Sequence, residues 1–184
     1  MGNRRFSRKR LFESEKLGKA VDLGAGAGIK DAIVSATQHR NGAEIITEIA
    51  IDLGTSKATL EDGSATGGVF GIASATDSSI TELTTAKYGT ITEIRAVMLE
   101  TADEHVSVSL HTSAVGTDST APTVTTNLVN FDAVGEDSSE SYDDGTANGK
   151  YLYLEQGSDS SNDGQLTQGK LLIYIHGFVA PADI

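Results

Sequence analysis

Three glycine-containing stretches have the residue types and spacing from which phosphate-binding loops are built. They are AVDLGAGAGIK at residues 20–30, IAIDLGTSK at 49–57 and GQLTQGKL at 164–171. Closely spaced glycines let backbone N–H groups approach a phosphate, but the anion is held when a helix starts there and directs its N-terminus at it. The flanking residues therefore decide whether any of the three is a nucleotide site.

The first stretch resembles the glycine loop of S-adenosylmethionine-dependent methyltransferases. In that family the loop ends a buried strand and opens a helix. Here EKLGKA precedes the loop and the β-branched IKDAIVSATQ follows it, so neither context is present. We predict that residues 21–30 form a flexible Gly/Ala-rich joint, because Gly and Ala give reach at little side-chain cost.

The other two stretches also lack the context that their chemistry requires. IDLGTS resembles the first phosphate loop of the actin and heat-shock ATPase superfamily, whose two large lobes need far more than 184 residues. Asp52 is better explained as an outward residue of its own strand. In GQLTQGKL, Leu171 replaces the Ser or Thr that would hold Mg²⁺, and a strand pattern follows Lys170 instead of a helix. We therefore predict no cofactor, and a solvated Lys170 at the start of a strand.

Metal and catalytic sites are weakly indicated. GSDSSNDG matches the start of a calcium loop, but Lys170 stands at position 12, where an EF-hand has a bidentate glutamate. A simpler calcium loop stays open, with the candidates Asp143, Asp144, Asp159 and Asp163. The chain has no cysteine, no pair of histidines at zinc spacing and no GxSxG motif. We name no catalytic residue and predict that the protein is not an enzyme, although paired carboxylates that meet only in the fold stay open.

The charge of the chain is divided between a basic end and an acidic body. Residues 1–20 hold seven basic and two acidic residues, a net charge of +5, whereas the other 164 residues have a net charge of −17. Apolar side chains interleave with the basic ones, which favours an extended or helical docking arm over a frayed, solvated terminus. The residues predicted to make the docking contacts are Arg4, Arg5, Phe6, Arg8, Lys9, Arg10, Leu11 and Phe12.

The body, residues 31–184, has the period-two pattern of β-strands. In AEIITEIAIDL the odd positions are apolar apart from Thr47, and Asn41-Gly42 before it favours a hairpin. Further strands are predicted near 92–100, 106–110, 123–131, 150–156 and 170–179, separated by polar loops at 57–68, 112–122 and 133–149. Helix is expected only in the arm and in a turn near residue 80. We predict an all-β fold, an antiparallel β-sandwich of jelly-roll type. The expected core is Ile49, Ile51, Leu53, Ile94, Val97, Leu99, Val106, Val108, Leu110, Leu152, Leu154, Ile173 and Ile175.

Several of these strands resemble those of head-associated β-proteins of tailed bacteriophages. The resembling segments are ITEIAIDLGTS, ITEIRAVMLET and TANGKYLYLEQGSDSSNDGQLTQGKLLIYIHGFV. The resemblance implies a virion structural protein, a capsid decoration or cement protein of head-fibre-like character. It would be assembled in the host cytoplasm and bind the major capsid protein or another shell protein. It also implies a homo-oligomer, with a trimer favoured, and no membrane partner.

Two other functions stay open at this point. One is a receptor- or glycan-binding appendage of the head or tail, which would use the three long polar loops. The other is a coat protein whose basic arm contacts nucleic acid, which is less favoured because seven basic residues are few for that role.

Overall fold

A computed structural model describes residues 18–54, 59–60, 69–71, 77–101, 108–114, 126–131, 137–141, 148–156 and 167–179. One short α-helix, α1 (Thr85–Tyr88), and one turn of 3₁₀ helix (Lys30–Ala32) accompany the strands. The strands are β1 (Lys19–Ala20), β2 (Ile33–Asn41), β3 (Glu44–Asp52), β4 (Thr59–Leu60), β5 (Phe70–Gly71), β6 (Thr81–Leu83), β7 (Thr90–Glu100), β8 (Val108–Ser113), β9 (Thr126–Phe131), β10 (Asp137–Ser141), β11 (Lys150–Gln156) and β12 (Lys170–Phe178). Within the described residues, no helix has the length and apolar character needed to span a bilayer.

The strands form two main sheets. The six-stranded sheet has the order β1-β2-β3-β12-β7-β10, and the four-stranded sheet has the order β6-β11-β8-β9. β4 and β5 form a separate two-stranded sheet. All pairs of strands are antiparallel. The all-β, antiparallel class predicted from the sequence is confirmed.

The β2–β3 hairpin forms where the sequence predicted it. Asn41 pairs with Glu44, and Gly42 between them has φ +63°, a left-handed conformation that glycine adopts without steric cost. In β3 the inward side chains are those at odd positions, including Thr47, whose hydroxyl accepts a hydrogen bond from Gln38 Nε2 at 3.1 Å. The period-two pattern therefore identified the buried face of this strand.

The core lies between the inner faces of the two main sheets. Ten of its buried residues were predicted, namely Ile49, Ile51, Leu53, Ile94, Val108, Leu110, Leu152, Leu154, Ile173 and Ile175. Val97 and Leu99 were assigned to the core wrongly: Val97 is half-buried, and Leu99 is 48 % exposed. The inward positions of this part of β7 are Ile94, Ala96 and Met98, so alternation directs the odd positions outward. Val106 lies outside the described residues.

Three segments predicted as loops contain strand. β4 lies within 57–68, β8 continues to Ser113, and β10 lies within the acidic segment 133–149. β10 pairs with β7 from Asp137 opposite Val97 to Ser141 opposite Glu93. Because backbone groups make this pairing, a strand at a sheet edge forms without an apolar alternation that the sequence could reveal. The helical turn expected near residue 80 is α1, a few residues further along the chain.

Residues 21–30, predicted as a flexible joint, pack against the body instead. Gly26 N donates to Ser79 O and Gly28 N to Asp77 O, both at 2.8 Å. Gly26 is buried, and a Cβ there would overlap the side chain and backbone of Asp77. Glycine is thus required at this position by a close approach of two chain segments rather than by flexibility.

Leu23 fixes the same segment to the four-stranded sheet and α1. Its side chain is buried, and its carbonyl accepts hydrogen bonds from Lys87 Nζ at 2.8 Å and Thr81 Oγ1 at 2.9 Å. The Thr81 hydroxyl also lies 2.7 Å from the Tyr88 hydroxyl. Burial raises the pKa of Tyr88 to about 12, so this phenol stays protonated at neutral pH.

Candidate interaction surface

The side of the six-stranded sheet that faces away from the core is called the outer face here. Its side chains stand in rows across β3, β12 and β7, because the strand register aligns them. Leu172 lies between Ala50 and Val97 in one row. The neighbouring rows are Glu48–Tyr174–Arg95 and Ile46–His176–Glu93.

One row of apolar side chains lies among charged and polar rows on the outer face. An antiparallel sheet with one solvated face normally carries polar side chains there. Instead the row Ala50–Leu172–Val97 is apolar and half-buried, and Leu99 beside it is 48 % exposed. The apolar side chains of this face are therefore a narrow row of partly exposed residues between charged rows.

Two charged side chains flank the aromatic ring at the centre of this face. The guanidinium carbon of Arg95 lies 5.8 Å from the centre of the Tyr174 ring, within cation–π range. Glu48 pairs with Tyr174 from the opposite strand, so the acidic and the basic side chains stand on either side of the ring. The central row is therefore polar at its ends and aromatic in the middle.

The end of the sheet near Lys170 is closed by local polar contacts. Lys170 Nζ donates to Glu100 Oε2 at 2.6 Å, and this hydrogen bond raises the pKa of the lysine. Asp52 Oδ1 accepts from Gly54 N at 3.0 Å, closing the turn after β3. Lys170 is exposed and starts a strand, as predicted. The stretches that contain Asp52 and Lys170 thus form a turn and the start of a strand. Among the described residues, neither stretch leads into the helix that a phosphate-binding loop requires.

The glycine-rich stretch lines a groove of about 530 Å³ together with the start of β2. Residues 20–25 form one wall, and residues 33–36 and Lys30 form the other. Val34 in this groove is 63 % exposed. The element that follows the glycines is a three-residue 3₁₀ turn, which is too short to present the aligned N–H groups of a phosphate site.

A buried pair of titratable side chains lies on the four-stranded sheet, on the side away from the core. His111 Nδ1 is 3.3 Å from Glu155 Oε2, and the residues are only 7 % and 5 % exposed. Neither atom has a hydrogen-bond partner among the described residues. Burial lowers the pKa of His111 to about 4 and raises that of Glu155 to about 7. Between about pH 4 and pH 7 the shifted pKa values thus leave both side chains mainly uncharged, as expected where charge is poorly solvated.

This pair has the residue types of acid–base chemistry but lacks access. The side chains are 9 % and 6 % exposed, so a substrate has no contact surface on them. Ser109, on the strand position opposite Glu155, is also buried. The pair therefore makes stability depend on pH and does not form an open active site.

The sequence did not reveal this pair. No spacing motif in the sequence connects His111 to Glu155. The two meet only because β8 and β11 pair with His111 opposite Tyr153 and Glu155 opposite Ser109. The strand register, which the sequence does not provide, would be needed to predict that the two side chains meet.

The predicted site residues fall largely elsewhere. The calcium candidates Asp143, Asp144, Asp159 and Asp163 and the docking-arm residues lie outside the described residues. Within the described part of the chain, no three His, Cys, Asp or Glu side chains come together as metal ligands. Comparison of the chain with protein-family models, curated proteins and solved structures gives no match. The features that bear on function are thus the strand order, the outer face and the charge distribution.

Proposed function

We propose that this chain is a virion structural protein that decorates or cements a tailed-bacteriophage capsid through a jelly-roll body and its basic arm. The strand order of the two facing sheets is the observation that carries the proposal. It is independent of the sequence resemblance to phage head proteins, and it supports the jelly-roll part of the proposal.

The strand order supports a jelly roll in detail. Without β1 and β2 the six-stranded sheet reads β3-β12-β7-β10, and the facing sheet reads β6-β11-β8-β9. Eight strands in two four-stranded sheets, with the last strand beside the first of one sheet, have the order expected of the paired Greek keys of a jelly roll. Viral capsid and lectin domains use this architecture.

The place where the arm joins the body supports docking through the arm. Lys19 and Ala20 pair with Gln38 and Thr37 at the edge of the six-stranded sheet, and Gly18 lies against the ring of His39. The residues before Gly18 thus join the body at a sheet edge. An arm with five excess positive charges is attracted to an acidic shell surface, and the attraction weakens as salt rises.

The proposal is tested first by copy number. Virus particles purified by density from the biological source are analysed by quantitative mass spectrometry. We expect hundreds of copies per particle, because a decoration protein occupies every equivalent site of the shell. A handful of copies supports the alternative of a receptor- or glycan-binding appendage, and complete absence from particles overturns the virion assignment.

The role of the arm is tested by removing residues 1–17, which leaves β1 in place. We expect the shortened chain to keep its melting temperature but to lose cosedimentation with particles. The control keeps the length and replaces Arg4, Arg5, Arg8, Lys9 and Arg10 with Gln. Loss of binding in both variants supports electrostatic docking, and full decoration by the shortened chain refutes it. Binding of an arm peptide to nucleic acid at physiological salt would favour the coat-protein alternative.

A further inference from the structure

We propose that residues 4–12 of the arm bind the body of their own chain, on a part of the outer face called the acidic–aromatic strip here. The strip consists of one end of β12 and the carboxylates beside it, namely Tyr174, His176, Phe178, Glu44, Glu48 and Glu93. The inference does not depend on the proposed function, because it concerns the free chain.

The strip places aromatic side chains beside carboxylates. Its rows across β3, β12 and β7 are Glu48–Tyr174–Arg95, Ile46–His176–Glu93 and Glu44–Phe178–Thr90. Among the described residues, none of its three glutamates forms an ion pair. Three carboxylates and one guanidinium give these rows a net charge of −2 when histidine is neutral. The strip therefore attracts a cationic segment.

The other end of the outer face attracts such a segment less. There Lys170 Nζ lies 2.6 Å from Glu100 Oε2, so part of the negative charge is already neutralised. The apolar row Ala50–Leu172–Val97 lies outside the strip and separates it from this ion pair. On β3, β12 and β7, most of the excess negative charge of the outer face is thus in the strip.

The rings of the strip suit a segment that combines basic and aromatic residues. Arg95 lies 5.8 Å from the centre of the Tyr174 ring, which shows that a guanidinium packs on this surface. Phe178 is 46 % exposed, so its ring is accessible from outside. Basic side chains of a bound segment can pair with the glutamates while its own rings pack on those of the strip.

The arm has the matching composition. Residues 1–17 hold six basic and two acidic residues, a net charge of +4. Five of the six basic residues fall within residues 4–10, and Phe6, Leu11 and Phe12 lie among or directly after them. Charge and aromatic content therefore identify residues 4–12 as the occupant of the strip.

The arm joins the body beside the strip. A Cβ on Gly18 would overlap the ring of His39 and approach Thr37, whose side chains continue two rows of the strip onto β2. The distance from β2 to β7 is three strand spacings, about 14 Å. Six extended residues, 12–17, span about 20 Å. Residues 4–12 can therefore reach every row of the strip.

The tether makes a weak contact sufficient. Exposed ion pairs hold separate molecules poorly, because water and salt screen them. A short flexible connection instead gives the attached segment an effective concentration in the millimolar range. The arm is thereby held on the body until a more acidic surface competes for it.

A spin label on the arm tests the contact. The chain has no cysteine, so S7C gives one attachment site for a nitroxide in the full-length protein. Paramagnetic broadening of amide NMR signals reports where the arm lies. We expect the signals of residues 174–178 to lose at least about half of their intensity, and those of residues 151–154 on the other sheet to lose clearly less. High salt should restore most of the lost intensity.

Two double variants of equal net charge separate the strip from general attraction to an acidic body. E48Q/E93Q removes carboxylates from the strip, whereas D31N/E82Q removes two exposed carboxylates elsewhere. We expect E48Q/E93Q to reduce the broadening at residues 174–178 at least about threefold and D31N/E82Q to leave it unchanged. Replacing the five basic residues within 4–10 by Gln should abolish the broadening without altering the body. Circular dichroism melts check that each variant is folded.

A mixing experiment tests whether the arm and the strip belong to the same chain. Isotope-labelled chains without S7C are mixed with nitroxide-labelled chains that carry no isotope, and we expect no broadening. Broadening as strong as in the single-chain experiment would assign the strip to the arm of another copy and overturn the inference. Three other results also overturn it: no broadening in the full-length protein, equal broadening on both sheets, or broadening that E48Q/E93Q leaves unchanged.

Discussion

The sides of the two main sheets that face away from the core have opposite characters. On the six-stranded sheet this side is accessible yet carries the apolar row Ala50–Leu172–Val97 and the exposed Leu99. On the four-stranded sheet it carries His111 and Glu155, which are polar yet buried. At these positions the polarity of the side chains is the reverse of what their exposure alone would suggest.

The contrast shows that side-chain polarity does not reveal which face of a sheet is covered. Apolar groups supply much of the surface of any folded protein, so a single exposed leucine needs no explanation. The apolar row on the outer face is half-buried, so its exposure also lies within the ordinary range. A buried carboxyl group is costly unless it is paired or uncharged, and the raised pKa of Glu155 reflects that cost.

The largest expected effect is the difference in stability between shortening an inward and an outward side chain of β12. Ile173→Ala removes a fully buried side chain from the core and should lower the free energy of unfolding by about 2–5 kcal/mol. Leu172→Ala, one position along on the outer face, should cost less than about 1 kcal/mol in the monomer. Urea unfolding at low protein concentration gives both values. Equal losses would mean that the outer face is covered by the chain itself.

A somewhat smaller effect is expected at the end of the same strand. Gly177 is buried, and a Cβ there would overlap the backbone oxygen of Tyr88. Because a backbone atom cannot swing aside, Gly177→Ala should destabilise by about 1–3 kcal/mol. His176→Ala, the outward neighbour, is the matched control and should change stability far less. A tolerated Gly177→Ala would show that β12 and α1 separate readily, against the packing described here.

The buried carboxyl group makes stability depend on pH. The pKa of Glu155 is raised from 4.5 to about 7, so between these values the folded state binds more protons than the unfolded chain. The free energy of unfolding therefore falls as pH rises from 4.5 to 7. Glu155→Gln removes this loss and should be more stable than the unmodified chain at pH 8 by about 1–2 kcal/mol, but not at pH 4.

His111 acts in the opposite direction and provides a check. Its pKa is lowered from 6.5 to about 4, so its contribution to stability is lost as pH falls from 6.5 to 4. The two dependences oppose each other between pH 4.5 and 6.5. In the Glu155→Gln variant the histidine slope remains alone, and unfolding at pH 4, 6 and 8 should show stability rising with pH. Glu82→Gln, at an exposed position, should keep the unmodified profile.

The smallest effect is expected at the exposed ion pair at the edge of the outer face. Lys170→Ala removes the contact with Glu100, and screening by water leaves such pairs little net stabilisation. We expect a melting temperature close to that of the unmodified chain in both low and high salt. A large, salt-sensitive loss would instead assign Lys170 a structural role in the start of β12.

The alternation of apolar and polar residues along the strands made much of the fold predictable. It identified the inward faces of β3, β8, β11 and β12, and glycine chemistry located the hairpin at Gly42. The pattern predicted the wrong face for Val97 and Leu99, because the residues around them are all apolar and do not alternate. It also missed β10, whose pairing depends on backbone groups that every residue carries.

The candidate surface was predictable only in part. Single residues on the outer face, such as Asp52, were recognised as outward from their own strands. No local pattern could place Glu48 and Arg95 on either side of Tyr174, because those residues come from three strands far apart in the sequence. The same holds for His111 and Glu155.

By itself the sequence determined the all-β class, which side chains share a face of a strand, and the division of charge along the chain. Each follows from properties of neighbouring residues: alternation, turn preference and formal charge. Tertiary structure alone decided the strand register, which face of each sheet is covered, and the packing of residues 21–30 against Asp77 and Ser79. These depend on contacts between distant segments, whose free energy is set by packing and desolvation that no local pattern encodes.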